Sequence, residues 1–549
     1  MRSSAKGRVR SIALVGALVA GAALTGMTGT ATAAPAGETL AAQVGATKPV
    51  EWGTCSAETL RGVPADQAKF YSCARYRVPI DHDDASLGTI DIALLKRAAR
   101  TPDKRIGSLF LNPGGPGGSG LRMPISGTGY FQPQVVDRFD LIGFDPRGVG
   151  QSNPLRCFTT QEDAQEVNSA QIGVPLSRAE ISGTLGSFRD LGQFCKNNAG
   201  ALLNHMSTKD VVRDLDKLRA AVGDQKLTYV GFSYGTLIGS TYSAMFPKQS
   251  RAIVIDGNVD PLLRTTDGVQ YDRERARGFE ISLDAFLTRC QQAGPKCAFS
   301  SGTPRAKFDE LREYLREQPI KVPGGQTMDI STFTGGVSGA LYRPAGFPAL
   351  AEELQGLYDV IHPPAAAAQT QSARTVKLNV LVPGKNGLAD LAPDSPYTAD
   401  DSYFGVNCSD KKITIKQDRV PGLAAQWERE SPTFGRSQIF SDVAACPVWP
   451  AKKPDVYRGP WKAQTENPVL VVGNYYDPAT QYLFAKRMAD ELGNARLLSV
   501  DAFGHCILGK SLGVDKATAD YLTDLKVPAA GQVFQPNTQP FQTAATAKG

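Results

Sequence analysis

The sequence has few histidines, almost no excess charge and only one long apolar segment. Each of these shortages excludes some classes of function. Its 549 residues include four histidines, and 60 lysine and arginine residues stand against 54 aspartate and glutamate residues. Four of the basic residues lie in positions 1–33, so the rest of the chain carries 56 basic residues against 54 acidic ones. An excess this small argues against nucleic acid or an anionic membrane as a partner.

Beyond residue 33 the sequence has no uninterrupted apolar run long enough to cross a bilayer, which argues against a later membrane-spanning helix. The first 33 residues instead have the pattern of a secretory signal peptide. Basic residues at 2–10 precede an apolar stretch at 12–24, and Ala-Thr-Ala at 31–33 supplies the cleavage signal. No cysteine precedes Cys55, so no lipid-anchor cysteine stands at the cleavage site. We expect a secreted, extracellular protein.

The nine cysteines contain no C-x-x-C pair, which argues against redox and metal sites in this chain. In an exported protein, cysteines predict disulfides. Spacing alone does not fix the connectivity, but sequence proximity suggests four pairs with Cys506 left over. These pairs are Cys55–Cys73, Cys157–Cys195, Cys290–Cys297 and Cys408–Cys446. We expect no metal and no cofactor.

Residues 231–235, Gly-Phe-Ser-Tyr-Gly, match the G-x-S-x-G pattern of a nucleophile elbow. The β-branched and aromatic run at 227–230 predicts a buried strand before it, and residues 236–246 predict a helix that stops at Pro247. A strand-to-helix turn this sharp forces its central residue into strained dihedrals, and only glycine fits on both sides. We therefore predict that Ser233 is a catalytic nucleophile.

His505 is the best of the four histidines as a catalytic base. It lies on the loop 501–505 after a predicted strand at 496–500, and such loops carry the ligand-handling residues of open parallel sheets. A neutral imidazole there can take the serine proton and return it to the leaving group. The other histidines have simpler explanations: an acidic, solvated turn for His82, a helix start for His205 and a loop before two prolines for His362.

Two aspartates compete for the position of the third triad member, which holds the imidazole and opposes its charge. Asp477 follows the continuous apolar run 468–473, as His505 follows the next predicted strand. Asp256 ends an earlier strand and is the alternative, although an Asp-Gly turn is its simplest role. The order Ser, Asp, His of the α/β-hydrolases fits both aspartates. We favour Asp477 because of its spacing to His505.

A tetrahedral intermediate needs backbone donors for its oxyanion. The amide of Tyr234, directly after the nucleophile, is the first expected donor. The second is expected from the glycine-rich segment 112–120, which follows a predicted strand at 108–111. Gly115 is preferred, with Gly114 as the alternative.

The same glycine-rich segment also satisfies G-x-G-x-x-G, with Asp140 twenty residues further on. A dinucleotide-binding site is therefore formally available. Pro124 interrupts the helix that such a site needs for the pyrophosphate, and an exported protein rarely meets NAD. We therefore reject this interpretation.

Motifs along nearly all of the chain beyond the signal peptide carry a family resemblance. They are W-G-T-C at 52–55, C-A-R-Y-R-V-P-I at 73–80, the glycine-rich segment 112–120, F-D-P-R-G-V-G-Q-S at 144–152, G-F-S-Y-G-T at 231–236 and C-S-D at 408–410. Together they resemble the secreted tripeptidyl aminopeptidases and their proline iminopeptidase relatives, which are serine exopeptidases. The resemblance implies the triad Ser233, Asp477 and His505. Cys506 is a departure, since relatives usually have glycine there.

The expected architecture is an α/β-hydrolase fold, a mostly parallel sheet flanked by helices, with a large, mainly helical cap insertion. We expect a parallel sheet that begins near residue 76 and gains its last two strands between 465 and 525. The predicted domain division is a signal peptide at 1–33, a leader or short propeptide at 34–48, the first part of the core at 49–260, the cap at 261–464 and the second part of the core at 465–549.

An exopeptidase of this kind has to recognise a free α-ammonium group, which requires a desolvated carboxylate in the pocket. Asp410 is the candidate, because a disulfide at Cys408 would hold it near the core. Glu352, Glu353 and Asp359 more simply form a solvated helix face.

The sequence therefore predicts a secreted serine exopeptidase that acts on peptides with a free N-terminus and releases short peptides, tripeptides by resemblance. The alternative is a secreted carboxylesterase or lipase-like α/β-hydrolase with the same triad. A non-catalytic binding protein of this fold is disfavoured by the intact triad. The oligomeric state and any proline preference stay open.

Overall fold

The computed structural model describes residues 48–321, 327–363, 378–382 and 395–542. The predicted signal peptide, and the predicted leader up to residue 47, lie outside this part of the chain. Within the described ranges, no helix is both long enough and apolar enough to span a membrane.

Eleven strands occur in the described part of the chain, nine of them in a single sheet. They are β1 Tyr71–Pro79, β2 Thr89–Arg97, β3 Gly107–Asn112, β4 Phe139–Phe144, β5 Leu227–Phe232, β6 Ser250–Asp256, β7 Ile320–Lys321, β8 Thr327–Met328, β9 Val469–Tyr476, β10 Ala495–Phe503 and β11 Val533–Phe534. The order in the large sheet is β1-β2-β4-β3-β5-β6-β9-β10-β11, and β7 and β8 form a separate antiparallel pair.

The sheet is parallel from β4 to β11, as the α/β class predicts. Every residue of β3 and β5 is buried, which explains why these central strands are mainly apolar on both faces and do not alternate with charged residues. The first two strands differ from the expectation of a parallel sheet that begins near residue 76, because β1 pairs antiparallel with β2 and β2 antiparallel with β4. Only residues 80–88 separate β1 from β2, too short a link for a parallel crossover. A third C-terminal strand, β11, also follows the two predicted ones.

Seventeen α-helices surround the sheet in the described ranges. They are α1 Met123–Ser126, α2 Pro133–Arg138, α3 Gln161–Ser169, α4 Arg178–Asn198, α5 Thr208–Ala221, α6 Gly235–Met245, α7 Pro261–Thr266, α8 Gly268–Ala293, α9 Pro304–Glu317, α10 Ile330–Leu341, α11 Phe347–Ile361, α12 Ser402–Asp410, α13 Val420–Glu430, α14 Gly435–Ile439, α15 Asp442–Ala445, α16 Tyr482–Leu492 and α17 Leu512–Asp524.

The segment between β6 and β9 is a helical insertion, and we use that name for residues 261–464. Its described part contains α7 to α15 and the short pair β7–β8. It has an apolar core of its own, built around residues such as Phe286, Phe308, Phe333 and Phe347. The two faces of the large sheet carry separate apolar clusters. The insertion therefore forms a packed body on the chain between the two groups of core strands.

The four disulfides suggested by sequence proximity are present. They are Cys55–Cys73, Cys157–Cys195, Cys290–Cys297 and Cys408–Cys446, and Cys506 is free. Each bond closes a loop and so lowers the conformational entropy of the unfolded chain. The bond at Cys408 ties α12 to the residue that follows α15.

Candidate active site

Ser233 lies at a strained turn between β5, which ends at Phe232, and α6, which begins at Gly235. Its φ is 54°, in the left-handed region that non-glycine residues rarely occupy. A Cβ at Gly231 would collide with the carbonyl oxygen of Gly235, and a Cβ at Gly235 would lie 2.9 Å from that of Asn112. The two glycines of the motif are therefore a steric requirement of the elbow, as the sequence predicts.

His505 and Asp477 lie on the loops that follow β10 and β9 and are in direct contact. The Nδ1–H of His505 donates to Asp477 at 2.8 Å from Oδ2 and 3.0 Å from Oδ1. Asp477 also accepts from the amide of Thr480 at 2.8 Å and from the Thr480 hydroxyl at 3.0 Å. These additional donors fix the carboxylate, and the carboxylate in turn fixes the imidazole ring.

The other ring nitrogen of His505 is free to act on a nucleophile. Among the described residues, Nε2 has no hydrogen-bond partner. The ring packs near the backbone of Gly257, where a Cβ would lie 3.0 Å from Cε1. The preceding residue, Asp256, accepts the Ser233 amide at its carbonyl oxygen over 2.9 Å. The base thus lies next to the strand end that holds the elbow, and catalytic contacts of this kind often close only when substrate binds.

Burial and the neighbouring charge shift the pKa of His505 in opposite directions. Burial by itself disfavours the imidazolium, but the neighbouring Asp477 carboxylate outweighs it and raises the pKa of His505 well above its usual range. A base with this environment is stabilised once it has accepted a proton, which is the state that acyl transfer produces.

Asp256, the alternative acid, is held in another contact. Its Oδ2 accepts from the amides of Ile507 at 2.8 Å and Leu508 at 2.9 Å, just beyond His505. The side chain is fully buried, and this burial raises its pKa to about 6. The structure therefore brings Asp477 to the imidazole, while Asp256 anchors the loop that follows the histidine.

The expected oxyanion donors lie on either side of the nucleophile. Gly115, Ser233 and Tyr234 line one pocket. The amide of Gly114 already donates to Asn112 Oδ1 at 2.9 Å, whereas those of Gly115 and Tyr234 have no acceptor in the described part of the chain. Free amides are what an oxyanion requires, so the geometry favours Gly115 over Gly114.

Most of the remaining lining of this pocket, called its wall below, comes from the helical insertion and includes charged side chains. Arg264, Arg275, Lys411 and Asp442 all contribute to it. Tyr342 joins the wall to the base: its ring meets the His505 ring edge-on, with centroids 5.1 Å apart, and its carbonyl oxygen accepts the His505 amide at 3.2 Å. The pocket is therefore lined by ionised side chains as well as aromatic rings.

Comparison with protein families assigns the fold. Residues 107–275 match the family described as alpha/beta hydrolase fold, and residues 431–534 match the family described as TAP-like protein. The chain has the α/β-hydrolase fold.

This α/β-hydrolase is similar to several known proteins along most of its length. Serine protease Hip1 of Mycobacterium tuberculosis (strain ATCC 25618 / H37Rv) is 29% identical over 514 residues, covering 88% of this chain and 90% of the relative. Tripeptidyl aminopeptidase of Streptomyces lividans is 28% identical over 488 residues, covering 86% and 84%. Carboxylesterase B of Mycobacterium tuberculosis (strain CDC 1551 / Oshkosh) is 28% identical over 489 residues, covering 87% and 88%. The resemblance to the tripeptidyl aminopeptidases is confirmed, and the chain is a serine hydrolase.

Asp410 does not reach the pocket of this α/β-hydrolase, contrary to the expectation for an ammonium anchor. It is fully buried, and its carboxylate accepts from the amide and hydroxyl of Thr208 at 2.9 and 2.6 Å. The Thr208 hydroxyl is also 2.5 Å from the Tyr234 hydroxyl. Asp410 thus lies behind Tyr234, where the end of α12 meets the start of α5 through Thr208.

Two other polar residues differ from the sequence expectation. Glu353 is buried rather than solvated, and it accepts from the amides of residues 379–381 at 2.7–2.8 Å. His82 is also buried and lies 2.8 Å from Asp214. Neither residue lines the Ser233 pocket, so both stabilise loops at a distance from the site. Within the described ranges there is no cluster of three or more residues suited to hold a metal ion.

Sequence reasoning missed the charged residues of the pocket wall. Arg264, Arg275 and Asp442 belong to no motif that the sequence displays, and each comes from a different helix of the insertion. Lys411 directly follows the C-S-D motif, which is the one local signal that pointed to this neighbourhood.

Proposed function

We propose that this α/β-hydrolase is a secreted serine aminopeptidase that releases short peptides, tripeptides among them, from free N-termini. The observation that carries the proposal is the pocket at Ser233, whose wall comes largely from the helical insertion and contains the carboxylate of Asp442. Such a wall blocks extended chains and offers a group for an ammonium ion. The similarity to Hip1 and to tripeptidyl aminopeptidase supports a peptide substrate.

The proposed mechanism assigns one role to each group around Ser233. His505 Nε2 takes the hydroxyl proton as Oγ attacks the scissile carbonyl, and Asp477 opposes the charge of the imidazolium. The amides of Tyr234 and Gly115 donate to the oxyanion of the tetrahedral intermediate. His505 then gives the proton to the leaving amine. Water, activated by the same imidazole, hydrolyses the acyl-enzyme and releases the short peptide.

Secretion is part of the proposal and has two supports. The first 33 residues have the signal-peptide pattern, and four disulfides join eight of the nine cysteines. Disulfides of this number form and persist in oxidising compartments outside the cytosol.

A carboxylesterase is the second candidate function, and the similarity to Carboxylesterase B favours it. The two functions share the acyl-transfer machinery at Ser233. They differ in whether the substrate needs a charged amino terminus, and this difference decides between them.

The test compares a tripeptide p-nitroanilide that has a free amino terminus with its N-acetylated counterpart. Acetylation removes the charge and leaves a pocket carboxylate without its partner, which costs about 3–5 kcal/mol for a buried pair. We expect kcat/KM to fall at least about a hundredfold. Equal rates on the two substrates, together with rapid cleavage of short acyl esters, would reject the aminopeptidase in favour of the esterase.

Ser233→Ala is the matched control for the catalytic role of the serine. It should fold, lose labelling by a fluorophosphonate and lose turnover by about four orders of magnitude on both substrates. A folded Ser233→Ala protein that keeps a tenth of the wild-type rate would contradict the assignment of the nucleophile.

A further inference from the structure

The pocket wall contains a buried carboxylate oxygen that has no partner. Asp442 is 1% exposed, and its Oδ2 accepts from the ammonium of Lys411 at 2.5 Å. Its Oδ1 is buried without any hydrogen-bond partner in the described part of the chain. A buried acceptor left unsatisfied is costly and therefore rare in folded proteins. Because Asp442 lines the same pocket as Ser233, a substrate can supply the missing donor.

The same pocket contains a buried guanidinium group without a counter-ion in contact. Arg264 is 4% exposed, its Nη2 donates to Asn407 Oδ1, and its Nε has no partner. Across the described residues, no carboxylate lies within 4 Å of its nitrogens. Its other neighbours include the rings of Tyr234 and Tyr271, whose centroids lie 5.9 and 5.4 Å from Cζ, and the carboxylates of Asp410, Asp442 and Asp272 act on its charge without direct contact. This cation can therefore accept an oxygen ligand from the substrate.

The other two cations of the wall are already paired. Lys411 contacts both oxygens of Asp272 at 2.7 and 2.8 Å in addition to Asp442, and Arg275 lies 3.3 Å from Asp272. Of these four charged side chains, two therefore keep groups without a hydrogen-bond partner: the carboxylate of Asp442 and the guanidinium of Arg264. A ligand with only a cation, or only an anion, would satisfy one of them. A ligand that has a cation and an oxygen acceptor a few bonds apart would satisfy both.

The N-terminal residue of a peptide is such a ligand, with its α-ammonium group three atoms away from its carbonyl oxygen. We propose that Asp442 and Arg264 form the N-terminal subsite of the pocket, where Oδ1 of Asp442 binds the α-ammonium group and the guanidinium of Arg264 donates to the first carbonyl oxygen. This inference rests on the proposed aminopeptidase function. It assigns the role of ammonium anchor, which the sequence suggested for Asp410, to Asp442, which lines the pocket.

The charge state of Asp442 suits this role. Burial alone favours the neutral acid, but the Lys411 ammonium outweighs it and holds the pKa of Asp442 below its usual range. The carboxylate is therefore ionised at neutral pH, where the α-amino group of a peptide is still largely protonated. Lys411 also keeps Asp442 in place, so that the free oxygen is preorganised.

The experiment uses Asp442→Asn and the matched control Asp410→Asn, in which the same change is made to a buried aspartate outside the pocket. The measured quantity is the ratio of kcat/KM for a free tripeptide p-nitroanilide to that for its N-acetylated form. Fluorophosphonate labelling of Ser233 gives the concentration of active enzyme in each preparation. We expect Asp442→Asn to lower the ratio at least tenfold, and Asp410→Asn to keep the wild-type ratio.

Arg264→Lys provides a second arm in case Asp442→Asn does not fold. Both substrates present the first carbonyl oxygen, so this variant should lower kcat/KM for both by about tenfold and leave the ratio unchanged, because lysine cannot reproduce the fork of guanidinium donors. An unaltered ratio in Asp442→Asn, a collapsed ratio in Asp410→Asn, or no loss in Arg264→Lys would each overturn the subsite. A wild-type ratio near one would instead reject the aminopeptidase function itself, so the two failures are distinguishable.

Discussion

Asp477→Asn is the sharpest test of the catalytic arrangement. In the wild type, the carboxylate of Asp477 accepts the Nδ1–H of His505 at 2.8 Å, so that in the neutral imidazole Nε2 carries no proton and is able to accept one from Ser233. An asparagine can turn its NH₂ group toward Nδ1, which then becomes the acceptor. The proton of the neutral imidazole moves to Nε2, the nitrogen that has to act as the base.

The expected magnitude follows from the loss of both functions of the carboxylate. The wrong tautomer removes the proton acceptor, and the missing charge leaves the buried imidazolium unopposed. Together these effects are expected to lower kcat about ten-thousandfold, equivalent to about 5 kcal/mol of activation free energy. The fold should survive, since asparagine keeps an oxygen that can accept from the amides of Ala479 and Thr480.

The assay measures kcat on a tripeptide p-nitroanilide and on a short p-nitrophenyl ester, with Asp256→Asn as the control. Asp256 Oδ2 alone accepts both backbone amides of its loop, and the oxygen of asparagine can do the same. We therefore expect Asp256→Asn to lose less than tenfold in kcat. The reasoning is refuted if Asp256→Asn abolishes activity while Asp477→Asn lowers kcat only slightly.

Two further predictions concern pH. The pKa of Asp256 is raised from 3.8 to about 6 by burial, so its folded state prefers the proton; this stability is complete below pH 4 and is lost as the pH rises through 6. In denaturant unfolding between pH 4 and 7, the wild type should therefore lose about 2 kcal/mol more than Asp256→Asn, and parallel curves for the two proteins would contradict it. Because the Asp477 carboxylate, against the effect of burial, raises the pKa of His505, the imidazole becomes a base only above its ordinary range. The acid limb of the kcat/KM profile should have its midpoint above pH 6.5, and a midpoint below that value would be inconsistent with the arrangement.

Much of this protein can be predicted from local sequence because the decisive groups follow strand ends. The elbow at Ser233 has to contain glycine on both sides, and the apolar runs before Asp477 and His505 mark buried parallel strands. The disulfides could be paired by proximity because each joins cysteines at most 38 residues apart. These features depend on backbone sterics and chain connectivity, which a sequence displays directly.

Other features depend on which surfaces meet, and only the tertiary structure decided them. The first two strands of the sheet are antiparallel, and their residue pattern does not distinguish them from parallel strands. Asp256 and Asp477 both end buried strands, but only the packing of the loops shows that one binds backbone amides and the other the imidazole. Asp410 and Asp442 are both buried aspartates of the helical insertion, and a difference of partners, Thr208 or Lys411, separates them. Such choices arise from contacts between helices that are distant in the chain, where burial and charge act through space rather than along the sequence.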